Sequence, residues 1–186
     1  MKQSSKMAFT GVLCALSLVI MFLGGIIPSA TIAMPALAGC LLIPIVAELG
    51  VKWGVAGFAA VNILSFLIVT DKEALLIYIL FFGYYPVVYG LFDKFKNEAL
   101  KMVLKLLIFN AAAVSEFFLT IYLLGIPFET IEGLGVFAPF APFILLLLAN
   151  LVFVIYDKAL KGLIVIYFQK FHTFCITIIS VTACLI

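Results

Sequence analysis

Long apolar runs alternate with brief polar connections along this chain, and the runs have the length of helices rather than strands. An α-helix needs about 20 mainly apolar residues to cross a hydrocarbon core, and fewer where neighbouring protein shelters it. Six segments meet that requirement: residues 7–27, 33–49, 53–69, 74–92, 103–124 and 140–156. The connections carry the helix breakers: Pro28 and Ser29, then residues 50–52, TDKE at 70–73, DKFKNE at 93–98, and the Gly- and Pro-rich residues 125–139. The pattern predicts an all-α membrane protein, a bundle of six transmembrane helices forming one domain over residues 1–170. Residues 1–6 are basic and precede an apolar run, but that run exceeds the roughly 7–15 residues of a signal-peptide core, and IIPSAT is a poor cleavage site. A first spanning helix is the expectation.

Composition supports a membrane setting. Of the 186 residues, 67% are hydrophobic and only 11% are charged, whereas a soluble domain needs a charged surface of about a quarter of its residues. All 11 basic residues are lysines. Without arginine, bidentate phosphate clamping has no basis, and no nucleic-acid partner is expected. Translocating basic loops is disfavoured, so lysine placement sets orientation. With both termini cytoplasmic, the inner side holds Lys2, Lys6, Lys52, Lys94, Lys96, Lys101, Lys105, Lys158, Lys161 and Lys170, and the outer side only Lys72. The outer connections carry Asp71, Glu73, Glu129 and Glu132. The tail 171–186 has an apolar part of about 13 residues, short for a span. It reads as interfacial or poorly ordered, with a short seventh span as the alternative.

Few residues carry candidate chemistry. Glu116 sits inside the fifth segment, and an intramembrane carboxylate costs a few kcal/mol unless it faces the bundle interior or a wet cavity. Ala112, Ala113 and Thr120 share its stripe. Two readings stay open: a glutamate tying helices together, or a substrate contact near the outer mouth. Asn62, with Ala59 and Ser65, and Asn150 offer buried amides that need partners from a neighbouring helix or from a substrate. Asn110, about 120° round the helix from Glu116, reads as helix glue. Tyr78, Phe82, Tyr85 and Tyr89 recur at helical spacing as one aromatic face broken by Gly83 and Pro86, suited either to packing or to a flat organic ligand, with Tyr89 too deep to join a ligand site. Asp157 and Lys161 are spaced to pair as an interfacial anchor. Cys14, Cys40, Cys175 and Cys184 form no CxxC and read as structural. No phosphate loop, HExxH or GxSxG occurs and the single histidine is His172, so no catalytic residue, metal or cofactor is expected.

The first helix, SSKMAFTGVLCALSLVIMFLG, places Ala8, Gly11 and Ala15 on one face, a small-xxx-small surface that lets another helix approach closely. With six spans, a cytoplasmic N-terminus and the segment IPSATIAMPALAGCLLIPIVAELG, the chain resembles the substrate-binding S components of energy-coupling factor (ECF) transporters. The family's AxxxA of the first helix maps onto Gly11 and Ala15, with glycine in place of the first alanine. The resemblance implies capture of a vitamin-like small molecule at an outer cavity, docking to a transmembrane coupling subunit through Ala8, Gly11 and Ala15, and toppling in the bilayer powered by partner ATPase subunits. It gives the connection 125–139, with Glu129 and Glu132, the place of a lid or of a plain flexible loop. The arginine- or histidine-rich signatures of riboflavin, cobalt or nickel members are missing. The alternative is a structural or assembly protein of MreD-like type without a ligand, in which Glu116 and the asparagines hold helices together.

Overall fold

The computed structural model of the chain describes residues 3–27, 30–92, 97–124 and 141–171, and all of their regular structure is helical. The helices are α1 (Gln3–Gly24), α2 (Ala33–Cys40), α3 (Leu42–Leu49), α4 (Val51–Ile68), α5 (Lys72–Ile77), α6 (Tyr85–Phe92), α7 (Glu98–Leu124) and α8 (Ala141–Ile166). A π-helical turn over Tyr78–Phe82 continues α5, and another over Tyr167–Phe171 ends α8. Among the described residues, five helical stretches are long and apolar enough to cross a membrane: Gln3–Gly24, Val51–Ile68, Lys72–Tyr89, Glu98–Tyr122 and Phe143–Lys170. The shorter apolar Ala33–Leu49 joins them. The chain is a multi-pass α-helical membrane protein. The proposed lid residues Glu129 and Glu132, His172, Cys175, Cys184, and all of the 171–186 tail after Phe171 lie outside the described residues, as do Lys2, Pro28, Ser29, Lys94 and Lys96.

Two of the segments depart from single straight helices, and prolines explain both. Pro44 has no N–H to give the carbonyl of Cys40, so 33–49 breaks at Leu41 into α2 and α3, with the Leu41 N–H turning to Ala38 O at 3.3 Å. Pro86 likewise leaves Phe82 O without its α-helical donor. The chain widens just before it, and the Gly83 N–H reaches back five residues to Tyr78 O at 2.7 Å. Gly39 of α2 packs directly on the Phe82 carbonyl, where any Cβ would collide with backbone. Gly50 is the one described residue with positive φ, +88°, and this lets α3 end and α4 begin one residue apart.

The connection between α4 and α5 is closed by the charges within it. Asp71 Oδ1 accepts from the N–H groups of Glu73 and Ala74, both at 3.0 Å, capping α5. Lys72 Nζ turns the other way and donates to the terminal carbonyls of α4, Phe66 O at 3.0 Å and Val69 O at 2.9 Å. Asn97 caps α7, its Oδ1 accepting from Ala99 N at 3.1 Å.

The described helices fall into two compact units. The first comprises Met1–Lys94 and Ala159–Ile186, the second Phe95–Lys158. In the first, α1 turns the stripe Ser5, Thr10, Cys14, Ser17, Met21 and Gly24 inward. Cys14, Met21, Ala38, Leu42, Ile45, Val61, Val69 and Tyr78 form one buried cluster. Lipid tails are as apolar as these side chains, so close packing and hydrogen bonds, not water exclusion, hold the helices together. The thiol of Cys14 fits this structural role by donating to Gly57 O at 3.7 Å.

The second unit pairs α7 with the antiparallel part of α8 up to Lys158. Phe109 stacks on Phe153 with ring centroids 4.3 Å apart, and Lys105 Nζ binds Asp157 Oδ1 at 2.7 Å. Both charged side chains are largely buried, with 8% and 15% of their surface exposed, so the pair is desolvated and each charge depends on the other. The i,i+4 reading of Asp157 with Lys161 is thereby corrected: the carboxylate pairs across the helices, because Lys105 brings the opposite charge to the same depth.

Candidate functional site

In the first unit the polar groups converge on one interior wall. On α4, Phe58, Asn62 and Ser65 fall within one narrow arc, while Ala59, which the spacing grouped with them, is exposed. Because α4 and α5 run antiparallel from the Thr70 turn, Asn62 and Tyr78, each eight residues from Thr70, stand at the same depth. The rings of Phe58 and Tyr78 confirm the juxtaposition, with centroids 6.2 Å apart and planes tilted by 34°. Tyr78 and Ser65 are wholly buried.

The hydrogen bonding of this wall is incomplete. Ser17 on α1 gives its hydrogen to Ala38 O at 2.6 Å, and its oxygen is left to face Tyr78 OH as an acceptor. Asn62 Oδ1 and Ser65 Oγ are buried without a hydrogen-bond partner in the protein, and Tyr78 OH, also buried, has only the Ser17 hydroxyl beside it, at strained hydrogen-bond geometry. Thr10 Oγ1, nearer the start of α1, is likewise buried without a partner. A buried polar atom without a partner is costly, and clusters of them in native proteins mark bound water or a ligand position. The π turn at Tyr78–Phe82 falls at the same place, and such turns recur at functional sites.

The remaining aromatic candidates have distinct surroundings. Phe82 is half-buried and packs against the core cluster, and Tyr85 is buried. Tyr85 meets Tyr89 edge-on at 6.4 Å. The π turn inserts a residue into the helical repeat, so the spacing through Tyr78, Phe82, Tyr85 and Tyr89 is not that of one regular helix.

On α1, Ala8, Gly11 and Ala15 lie outside the buried stripe. All three are exposed, and nothing approaches within 4 Å of where a Gly11 Cβ would be.

In the second unit Asn150 is joined to Asn110. Each Nδ2 donates to the other's Oδ1 at 2.9 Å and to the carbonyl four residues earlier at 2.8 Å, Leu106 O for Asn110 and Leu146 O for Asn150. All four amide hydrogens are thus used. Glu116 and Thr120 lie further along α7 and are both half-buried, with Thr120 Oγ1 buried and without a hydrogen bond in the protein. Glu116 therefore shares a helix with the amide pair and the ion pair.

Three features escaped sequence reasoning. Ser17 did because hydroxyls are unremarkable in apolar helices, and Lys105 because its partner is 52 residues away. Glu48, in the last turn of α3, accepts from Tyr167 OH at 2.8 Å. It had a usable signal, since a carboxylate closing an apolar run is as conspicuous as Glu116. Among the described residues, no group of three His, Cys, Asp or Glu is placed to hold a metal. Comparison with protein-family models, with curated proteins and with solved structures gave no match, so any assignment of role rests on these residues.

Proposed function

We propose that the chain is a substrate-capture subunit of the S-component type: a six-span membrane protein, both termini cytoplasmic, that binds a vitamin-like small molecule and relies on partner subunits for energy. The observation that carries this reading is the pair of buried, unpartnered polar atoms Asn62 Oδ1 and Ser65 Oγ on one wall of the first unit, beside a Tyr78 hydroxyl that has only Ser17 next to it. Water is scarce at membrane depth, so a ligand with complementary groups would remove a cost that the protein alone does not meet. Two further features support it. The exposed Ala8, Gly11 and Ala15 face offers a coupling subunit a close approach, with ATPase subunits behind it. Lys72, the lysine that the proposed topology leaves outside, is held by α4 carbonyls and stacks over the Phe66 ring at 5.3 Å.

A screen of small-molecule fractions by thermal unfolding tests this. A ligand at about a hundredfold excess over its Kd raises stability by about 2.7 kcal/mol in the wild type and by much less in Asn62→Leu. If no fraction stabilises the protein, the capture reading fails.

A ligand-free scaffold of MreD-like type is the second reading. It draws on the second unit, where Asn110, Asn150, Lys105 and Asp157 bind one another and leave their amides and charges matched inside the protein.

A further inference from the structure

Resting on the capture reading, we infer that the molecule bound against the Phe58, Asn62, Ser65 and Tyr78 wall is uncharged, flat, and equipped with both a hydrogen-bond donor and an acceptor, as in a neutral heteroaromatic amide or lactam. The charge argument comes from where ionised groups lie. Among the described residues of the first unit, the buried polar side chains are Ser5, Thr10, Ser17 and Ser65, and none is ionisable in the physiological range. The described charges of the unit sit in turns or within the first or last two turns of helices, with Glu73 in the first turn of α5, Lys161 in the last two turns of α8 and Lys170 in the π turn that ends it. Lys6, Glu48 and Lys52 lie near the ends of α1, α3 and α4 that face away from the Thr70 turn. Asp71 and Lys72 lie in the turn itself and are engaged with backbone groups. Asn62 and Tyr78 are eight residues, about 12 Å, from that turn. An ionised guest there would be desolvated with no opposite charge beside it, which is prohibitive at membrane depth.

The polarity argument comes from the unpartnered atoms. Asn62 Oδ1 is an acceptor and calls for an N–H or O–H on the guest. The Ser65 hydroxyl is without a partner and has a hydrogen to give, and the Tyr78 hydroxyl beside Ser17 is a second one, so the guest also presents an acceptor. The shape argument comes from Phe58 and Tyr78, whose tilted rings stand 6.2 Å apart as an aromatic surface beside those groups.

The test is mass spectrometry of small molecules released from purified protein in nanodiscs, with the charge of any enriched species read from its electrophoretic mobility at pH 7. Wild type should carry one enriched neutral species, reduced at least tenfold in Asn62→Leu and in Tyr78→Phe, the latter a near-isosteric change that keeps the fold. An enriched species that is ionised at pH 7 overturns the inference while leaving capture standing. A neutral species retained equally by both variants removes this wall as its site. Water alone, with no enriched molecule, overturns the capture reading as well.

Discussion

Asn110 and Asn150 bind each other with both amides, each donating to and accepting from the other at 2.9 Å while its second hydrogen satisfies a carbonyl of its own helix. This arrangement fixes the register of α7 against α8, since a one-residue slide would break both cross-helix bonds. Replacing either asparagine by leucine leaves the other amide half-satisfied, and replacing both removes the need. A double-mutant cycle in unfolding free energy is therefore expected to show coupling of about 0.6 kcal/mol, and up to about 1.7. Additive single effects would show that the pair contributes no specific interaction.

The Lys105–Asp157 pair carries higher stakes because both groups are charged and nearly buried. Lys105→Met strands a carboxylate and should cost about 3–5 kcal/mol. Lys105→Met combined with Asp157→Leu should recover most of that loss. Chemical denaturation of the four proteins checks this, and a double variant as unstable as Lys105→Met contradicts it.

Gly39 gives a steric test of the α2 packing. Its Cβ position is filled by the backbone carbonyl of Phe82, which cannot rotate away, so Gly39→Val should cost about 1–3 kcal/mol. Gly11→Ala, with open space at the same test, should leave folding stability within about 0.5 kcal/mol. Thermal melts of the two variants side by side decide the matter.

Tyr78→Phe separates ligand chemistry from folding. The hydroxyl has only the Ser17 hydroxyl beside it, so its removal should cost no more than about 1.5 kcal/mol. The same variant should lose ligand-induced stabilisation. A Tyr78→Phe protein destabilised well beyond that would mean that the hydroxyl is already satisfied within the protein.

Hydropathy located the helices because membrane thickness dictates their length, and it failed where chemistry within a helix mattered. The sixth segment ends at residue 156 by hydropathy because Asp157 and Lys158 follow, yet α8 continues to Ile166. Asp157 is tolerable there because Lys105 neutralises it, and that pairing is invisible locally. The break between α2 and α3 was available in Pro44, and the disturbed α5–α6 geometry was read from Gly83 and Pro86. The extra residue of the π turn, which changes how the aromatic side chains share a face, was not. Asn62 and Tyr78 were flagged as polar or aromatic residues at membrane depth. That Asn62 Oδ1 is left without a partner depends on what the neighbouring helices present to it, and so required the fold.

The Asn62, Ser65 and Tyr78 wall lies toward the Thr70 end of the first unit, so the side of the membrane on which that turn lies determines where a ligand enters. The most direct test of external capture is therefore labelling of intact cells with a membrane-impermeant maleimide, in a background with the four native cysteines replaced. Thr70 and Asn97 are both exposed and suit Thr70→Cys and Asn97→Cys variants. The account predicts that Thr70→Cys is labelled on intact cells and Asn97→Cys only after permeabilisation. Labelling in the opposite order would place the wall's near end in the cytoplasm and contradict it.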